Sequence, residues 1–396
     1  MDGQLARIAA LKQRLPVSDA AAALAAIAAE AGDIAARAAD GAAVVPDIAW
    51  SDLAAGRAPG SFSGDVRRSG CVVVRGVFPA TQAADWNAEL GDYLASNDAA
   101  GRLRARDPAR WQGRTPQMYS VYWSRPQVLA RQSEPLAAVR AWLNRLWRWD
   151  GHFDPDAECT YADRIRRRTP GDTTLSLRPH IDGGTAGRWL DAAARHAYRA
   201  VLAGDADGFD PFDASGRTAL AAADANACSV FRTWQGWTAL TAQGPGDGTL
   251  QVVPLARAIA AVLLRPFLPD VPAASLCGAE ASPALWITPE WHATLLRALV
   301  PIPRVQPGDT VWWHPDLIHA VEPAHTGRAE SNVMYIGAAP DCARNRAFLA
   351  GQAQAFLTGR SPPDFPPDDL ETGFTGRAEP GLLTTLGRRQ MGLASA

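Results

Sequence analysis

Two short β-prone segments, residues 179–182 and 307–319, constrain this chain most. Their polar side chains make sense only when strands distant in sequence come to lie side by side. In the first segment His180 and Asp182 are two residues apart. Side chains of an extended strand alternate with period two, so both point to one face. The second segment runs through Gly308-Asp309, the apolar stretch with Trp312 and Trp313, a bend at His314-Pro315, and then His319. If a neighbouring strand supplies His319, two imidazoles and one carboxylate occupy one side of a point and leave the other side open. That is the donor set expected of a non-haem Fe(II) site. His314 competes for the same role, but it flanks Pro315, where the strand should bend, so His319 is the preferred third ligand.

The rest of the chain reads as many short strands broken by helical inserts. Residues 5–39 are alanine-rich with apolar residues at helical spacing, which predicts two amphipathic helices separated near Pro16, with Ser18 as N-cap. A buried strand is expected over 70–79, followed by a helix capped by Thr81 and running to about Leu94. Residues 163–182 predict two short strands joined by the turn Thr169-Pro170-Gly171-Asp172, the second carrying Leu175, Leu177, His180 and Asp182 before Gly183-Gly184. Further strands are expected in the β-prone run 228–240 and over 249–254, 310–313, 317–321 and 331–337, with helices near 256–268 and 289–299. After Arg360 the chain is rich in Pro, Asp and Gly and should wrap the surface with little regular structure.

This pattern predicts a mainly β fold with α elements: a double-stranded β-helix (jelly-roll or cupin-like) core with flanking helices and helical inserts. The divisions are 1–45 (helical extension), 46–345 (jelly-roll domain) and 346–396 (C-terminal helix and tail packed on the core). Trp234, Trp237, Trp312 and Trp313 are read as core, and Tyr119, Tyr122 and Trp123 as part of a lid.

Composition excludes several classes. The formal net charge is -2, so no basic field attracts nucleic acid or an anionic membrane. Arg164-Ile165-Arg166-Arg167-Arg168 resembles a nucleic-acid patch by count only; on a strand its side chains divide between a site wall and solvent. The five cysteines are scattered without a CxxC pair, and no apolar run is long enough to span a bilayer, so a cytoplasmic protein is expected. Lys12 is the only lysine, so any cation that holds a substrate carboxylate must be an arginine.

The motifs and their order resemble the Fe(II)/2-oxoglutarate-dependent oxygenases, in particular the phytanoyl-CoA-hydroxylase-like group and, most closely, its YbiU-like branch. His180-Ile181-Asp182 matches the His-x-Asp pair, and Trp237-Thr238-Ala239-Leu240 the following strand. Gly248 through Pro254 is similar to the group's glycine-to-proline segment, with Leu255-Ala256 in place of the usual Gly-Ser. Gly308-Asp309, Trp313 and His319 match the strand that carries the distal histidine. Asp163-Arg164-Ile165-Arg166, the stretch from Phe231 to Trp237, and Gly387-Arg388-Arg389 carry the YbiU-like likeness.

The resemblance implies that His180, Asp182 and His319 bind Fe(II), which then takes 2-oxoglutarate and O2. Succinate and CO2 would be released as a small organic molecule, by default, is hydroxylated. It also implies a basic residue for the distal carboxylate of 2-oxoglutarate, often about ten residues after the distal histidine. Glu330 stands near that offset here, which leaves Arg328 and Arg232 as the two candidates and Arg344 behind them. Gln235, Thr249 and Gln251 are candidate hydrogen-bonding partners of the cosubstrate. The substrate itself is a small molecule, with a carboxylate or amino acid favoured by the arginine supply. The rival reading is a cupin-like metal-dependent isomerase or hydrolase that does not use 2-oxoglutarate.

Overall fold

The structure, a computed structural model, describes residues 2–15, 19–111, 114–174, 177–182, 186–218, 228–280 and 284–393. Ser18, Leu175 and Gly183-Gly184 of the sequence reading lie outside these residues. The strands are β1 Asp47–Ala49, β2 Cys71–Arg75, β3 Met118–Tyr119, β4 Asp154–Glu158, β5 Ile165–Arg168, β6 His180–Ile181 and β7 Trp234–Ala239. They continue with β8 Leu250–Val252, β9 Leu285–Trp286, β10 Val300–Pro301, β11 Thr310–Trp313, β12 His319–Val321, β13 Ser331–Ala338 and β14 Pro340–Asp341. Seven form one sheet in the order β1-β2-β11-β7-β13-β5-β3, and five form a second in the order β10-β8-β12-β6-β9. β4 and β14 pair separately.

The period-two alternation of the strands decides what each sheet face meets. Val73, Trp237, Val311, Trp313 and Val333 of the larger sheet pack with Leu250 and Val252 of the smaller one, so the two sheets face each other across a shared core. The alternate residues Val72, Val74, Trp234, Trp312, Met334 and Ile336 cover the outer face of the larger sheet. Helices Phe62–Ser69, Ala80–Ser96 and Glu134–Asn144 pack there. The four tryptophans are thus all buried, two on each face of one sheet. Burying a side chain of that size stabilises by about 2–3 kcal/mol.

On the outer face of the smaller sheet, Ile181 and Ile318 join a cluster with Ile8, Leu11, Ile27 and Ala31 from helices Asp2–Arg14 and Ala20–Ala39, and with helix Ala258–Leu264. The N-terminal extension therefore backs the strands that carry His180 and His319. The protein is mixed α/β with helices outside both sheets, and no helix among the described residues is long and apolar enough to cross a membrane.

Several expectations need correction. The run 228–240 yields a strand only from Trp234, because Ser229 and Phe231 are tied instead to Asp364 and Asn345. β5 and β6 are consecutive but enter different sheets; Arg168 Nε holds Asp172 at 2.8 Å across the turn between them. The helix after β2 begins at Ala80 with Pro79 at its cap, so Thr81 lies inside it. Tyr119, Tyr122 and Trp123 form no lid. All three are buried, and the backbone N–H groups of Tyr122 and Trp123 donate to Glu371 of the C-terminal tail. The tail does carry regular structure, including helix Thr385–Gln390.

Gly308-Asp309 proves structural. Gly308 has φ of 91°, and a Cβ there would sit 2.1 Å from the carbonyl oxygen of Phe78. Asp309 then accepts from the N–H groups of Gly76 (2.8 Å) and Gln306 (2.9 Å) and from Arg75 (3.1 Å), pinning β11 to the end of β2. Gly308→Ala is expected to cost about 2–4 kcal/mol, from left-handed strain plus a backbone clash, read as a lowered denaturation midpoint.

Candidate metal centre

β6 and β12 are antiparallel neighbours in a register that sets His180 directly opposite His319. Directly opposed residues share a face, and the two imidazole centroids are 4.3 Å apart with planes tilted by 45°. Asp182, two residues beyond His180, returns to the same face. Its Oδ1 lies 3.2 Å from His180 Nε2 and its Oδ2 3.6 Å from His319 Nε2. One donor atom from each of the three lies within 4.8 Å of the others.

Each histidine is oriented by its own strand. His180 Nδ1 is 2.7 Å from the carbonyl of Arg178, and His319 Nδ1 is 3.0 Å from that of Leu317. A carbonyl can only accept, so both Nδ1 atoms carry hydrogen and both Nε2 lone pairs face Asp182. Trp286 flanks His180 and Trp313 flanks His319, each with ring centroids 5.5 Å apart.

Burial on its own raises the Asp182 carboxyl, but the two imidazoles outweigh it and hold the group well below the usual carboxylate range. Burial lowers His180 while the Asp182 carboxylate more than offsets it, so His180 moves up. A fixed carboxylate between two inward lone pairs suits a divalent cation.

A second buried charge cluster holds this wall from behind. Arg188 donates to the backbone carbonyl of Asp182 (2.9 Å) and to Asp316 Oδ1 (2.8 Å). Tyr198 also donates to Asp316 Oδ1 (2.9 Å), and Arg217 pairs with Oδ2 (2.8 Å). Burial opposes the charge on Asp316, yet Arg217 and Arg188 prevail and keep it ionised far below the usual range. His314 has no part in the triad. Its Nε2 donates to Pro211, it stacks on Trp147, and burial pushes it down to about 3.

The triad forms one wall of a cavity of about 770 Å³ between the sheets, with Trp237, Trp313 and Gln235 opposite. Three arginines line it: Arg164, Arg166 and Arg232. Arg166 sits opposite Val333 and Arg168 opposite Ser331 across the β5–β13 ladder. Arg164, Arg166 and Arg168 therefore share the inner face, while Ile165 and Arg167 turn outward. Arg164 is paired with Asp163 (3.3 Å), and Arg168 is sealed by Asp172. Arg166, 1% exposed, donates from Nη2 to the neutral groups Gln243 (3.0 Å) and Ser331 (3.1 Å), and its buried Nε has no partner. Arg232 lies over the Tyr161 ring at 5.1 Å.

Of the sequence candidates, then, His180, Asp182, His319, Arg232 and Gln235 come together around one cavity. Thr249 is fully buried and leans on Gln243 at 3.5 Å, one residue behind Arg166. Gln251 alternates with the inward Leu250 and Val252 and so faces away. Arg328 is exposed in the loop before β13, and Arg344 is spent on the carbonyls of Cys228 and Ser229. The expected division of the run 164–168 between a site wall and solvent is seen, with Arg166 on the cavity side, whereas the Arg188–Asp316–Arg217 cluster was not anticipated from the sequence. Asp316 was signalled by being a carboxylate inside the aromatic and aliphatic run 311–321, a place where a charge survives only with partners.

Buried groups away from the site set an expected pH profile. Burial holds His314 at about 3 and His292 at about 4, so the unfolded chain takes up protons that the folded chain refuses, and stability falls as pH drops from about 6.5 toward those values. Burial pushes Glu158 and Glu371 up to about 7, so the folded chain keeps protons that the unfolded chain releases, and stability falls as pH rises toward 7. The two pairs oppose each other between about pH 4.5 and 6.5. Below that window the glutamates contribute nothing further, while Asp182 and Asp316 add to the histidine loss. Chemical denaturation is expected to give a plateau with a steep acid limb. A steady gain in stability down to about pH 3 would contradict these assignments.

The two facing sheets and the His–Asp–His wall define a mixed α/β protein with a candidate metal site in the space between its sheets. The chain belongs to the Gig2-like family, whose sequence pattern matches residues 6–393. The protein YbiU of Escherichia coli (strain K12), itself uncharacterized, is 40% identical over 385 residues, covering 93% of this chain and 90% of that one. A crystal structure from Salmonella typhimurium LT2, provisionally named an oxidoreductase, has a TM-score of 0.89 at 40% identity and covers 98% of this chain and 97% of that one. The structure of GlcNAc Inducible Gene 2 (GIG2, DUF1479) from Candida albicans has a TM-score of 0.83 at 27% identity, covering 98% and 89%. The YbiU-like likeness of the motifs is thus a family relationship.

Proposed function

We propose that this protein is a non-haem Fe(II)/2-oxoglutarate-dependent oxygenase of the phytanoyl-CoA-hydroxylase-like kind, acting on a small organic molecule. The observation that carries the reading is the His180–Asp182–His319 wall facing a cavity that also contains guanidinium groups. Three donors on one side of a metal leave adjacent positions open, two for a 2-oxo acid and one for O2. The strand order supports the fold assignment: β5, β13, β7 and β11 lie side by side in one sheet and β6, β12, β8 and β10 in the other, as in a jelly roll. The provisional name of the Salmonella relative points the same way.

The residues fit the metal. Nε2 of His180 and of His319 and one oxygen of Asp182 would hold it. Bound there with its cosubstrate and O2, it supplies the oxidant that converts a C–H bond to C–OH as 2-oxoglutarate becomes succinate and CO2. The chain's own residues do the rest. The Arg178 and Leu317 carbonyls keep the imidazoles in the ligating tautomer. Asp182 contributes the negative charge that fixes a dication, while Trp237 and Trp313 keep water from the opposite wall.

Purified protein supplied with Fe(II), O2 and 2-oxoglutarate is expected to release succinate slowly even without an organic substrate, and His319→Ala is expected to release none. Equal succinate release by the wild type and His319→Ala would remove the reading. Tight metal binding without any 2-oxoglutarate consumption would favour a metal-dependent isomerase or hydrolase.

A further inference from the structure

We infer that the substrate is a free α-amino acid bound at the open end of the cavity, its carboxylate on Arg232 and its ammonium on Asp364. The inference rests on the oxygenase reading and deepens it by naming the class of molecule that is oxidised.

The cavity has two ends. Arg166 stands near the start of β13, opposite Val333, and is 1% exposed. Arg232 comes just before β7 and lies beside the end of β13, where the Thr233 N–H donates to Ala338 (2.9 Å). At about 3.3 Å per residue of strand the two stand roughly 20 Å apart, so a five-carbon diacid reaches one of them at most. The end at Arg232 comes to the surface at the exposed Pro363 and Pro366 of the C-terminal tail. The whole space, about 770 Å³, holds far more than a 2-oxo acid.

Two opposite charges wait at this open end. Among the described residues Arg232 has neither an ion pair nor a hydrogen bond; it lies over the Tyr161 ring, 5.1 Å from the centroid. Asp364 also has no ion pair among them. It accepts from the Tyr161 hydroxyl (3.3 Å), the Ser229 N–H (2.8 Å) and the Cys228 thiol (3.3 Å), all on Oδ2, and Oδ1 is left without a partner. The guanidinium and the carboxylate do not pair with each other, yet Tyr161 spans them: one rests on its face and the other takes its hydroxyl. Asp163 is already neutralised by Arg164, and Asp182 faces the two histidines, so one positive and one negative group remain at this end. An α-amino acid brings the complement of both on adjacent atoms, whereas a dicarboxylate would set its second charge against Asp364.

Both groups are held in advance. Arg344 donates to the carbonyls of Cys228 (2.8 Å) and Ser229 (2.6 Å), which fixes the segment leading to Arg232. Phe365, next to Asp364, packs on Tyr122 and Tyr161 with ring centroids 5.0 and 5.7 Å apart. Such preorganisation lowers the ordering cost when a ligand arrives. The Asp182 carboxylate is among the groups that favour the charge on Arg232, and both residues line the one cavity. An amino acid held there by its head turns its side chain inward to the triad.

The test uses the full-length protein loaded with Mn(II), a redox-inert stand-in for iron, and with 2-oxoglutarate. Equilibrium dialysis against the twenty common L-amino acids finds the tightest ligand, which is then compared with its des-amino acid and its decarboxylated amine. Wild type is expected to bind the amino acid about 10- to 100-fold more tightly than either analogue, the range for a hydrogen bond to a charged group. R232Q should weaken the amino acid and the des-amino acid by that factor and spare the amine. D364N should weaken the amino acid and the amine and spare the des-amino acid, and R232K should restore part of what R232Q loses.

Binding of none of the twenty, or an analogue bound as tightly as its parent, overturns the inference whether or not any variant folds. So does either variant, folded by circular dichroism, weakening all three ligands alike, or R232Q losing 2-oxoglutarate in place of the amino acid. Succinate release with Fe(II) and O2 tests the oxygenase reading separately. Release without amino-acid binding removes the inference alone; the crossed pattern without release removes the oxygenase reading and leaves Arg232 and Asp364 as an amino-acid site.

Discussion

Replacing His319 by alanine is expected to weaken divalent-metal binding by more than about 100-fold, since loss of a direct ligand must exceed the 10- to 100-fold cost of losing a group that only orients one. Competition with a chromogenic chelator measures it. The metal-free variant should keep its fold, because His319 contributes a hydrogen bond to its own strand and little else beyond the triad. Any thermal stabilisation by added metal should vanish with it. His180→Ala and Asp182→Ala should behave alike in metal binding. Their metal-free states differ: removing Asp182 leaves the imidazoles without the carboxylate that raises His180. In the wild type, affinity should also fall as pH drops through the raised range of His180, because the metal must displace a proton there.

The second large effect is expected at Asp316. It is one carboxylate, 3% exposed, between Arg188 and Arg217, with Tyr198 donating to it as well. Asp316→Leu removes a counter-charge shared by two buried guanidinium groups, and breaking a buried pair in this way costs about 3–5 kcal/mol. The shift in denaturation midpoint reads it directly. A second consequence is specific to the site. Arg188 also holds the backbone carbonyl of Asp182, so metal affinity should drop about tenfold or more even under conditions where the variant is folded. A variant as stable as wild type with unchanged metal affinity would show that the cluster neither holds the fold nor positions Asp182.

The triad was legible in the sequence because its information is local. Strand periodicity alone places His180 and Asp182 on one face, and the apolar run before His319 marks a second buried strand. β11 occupies the residues expected of it, and the two N-terminal helices appear where alanine-rich spacing put them. What stayed hidden is what depends on pairing across the sheets. Nothing within residues 163–182 reveals that β5 and β6 part into different sheets, and only that separation sends the inner face of β5 into the cavity.

The cation near the start of β13 was sought along the chain after His319, which led to Arg328. At the start of β13 the structure places Arg166 of β5 beside Ser331, by a register between residues more than 160 positions apart. Gln251 failed as a site residue for the opposite reason: its local alternation was readable, but not which of the two faces of β8 turns inward. The cluster around Asp316 depends on Arg188 and Arg217, both from the long insert between β6 and β7, whose docking no local pattern encodes.

The most direct measurement is anaerobic addition of Fe(II) and then 2-oxoglutarate to the purified protein, watching for the weak visible charge-transfer band of their chelate. Wild type should develop the band in proportion to bound iron, and His180→Ala and Asp182→Ala should not. One tightly bound equivalent of iron with no band on adding 2-oxoglutarate would contradict the account at its centre.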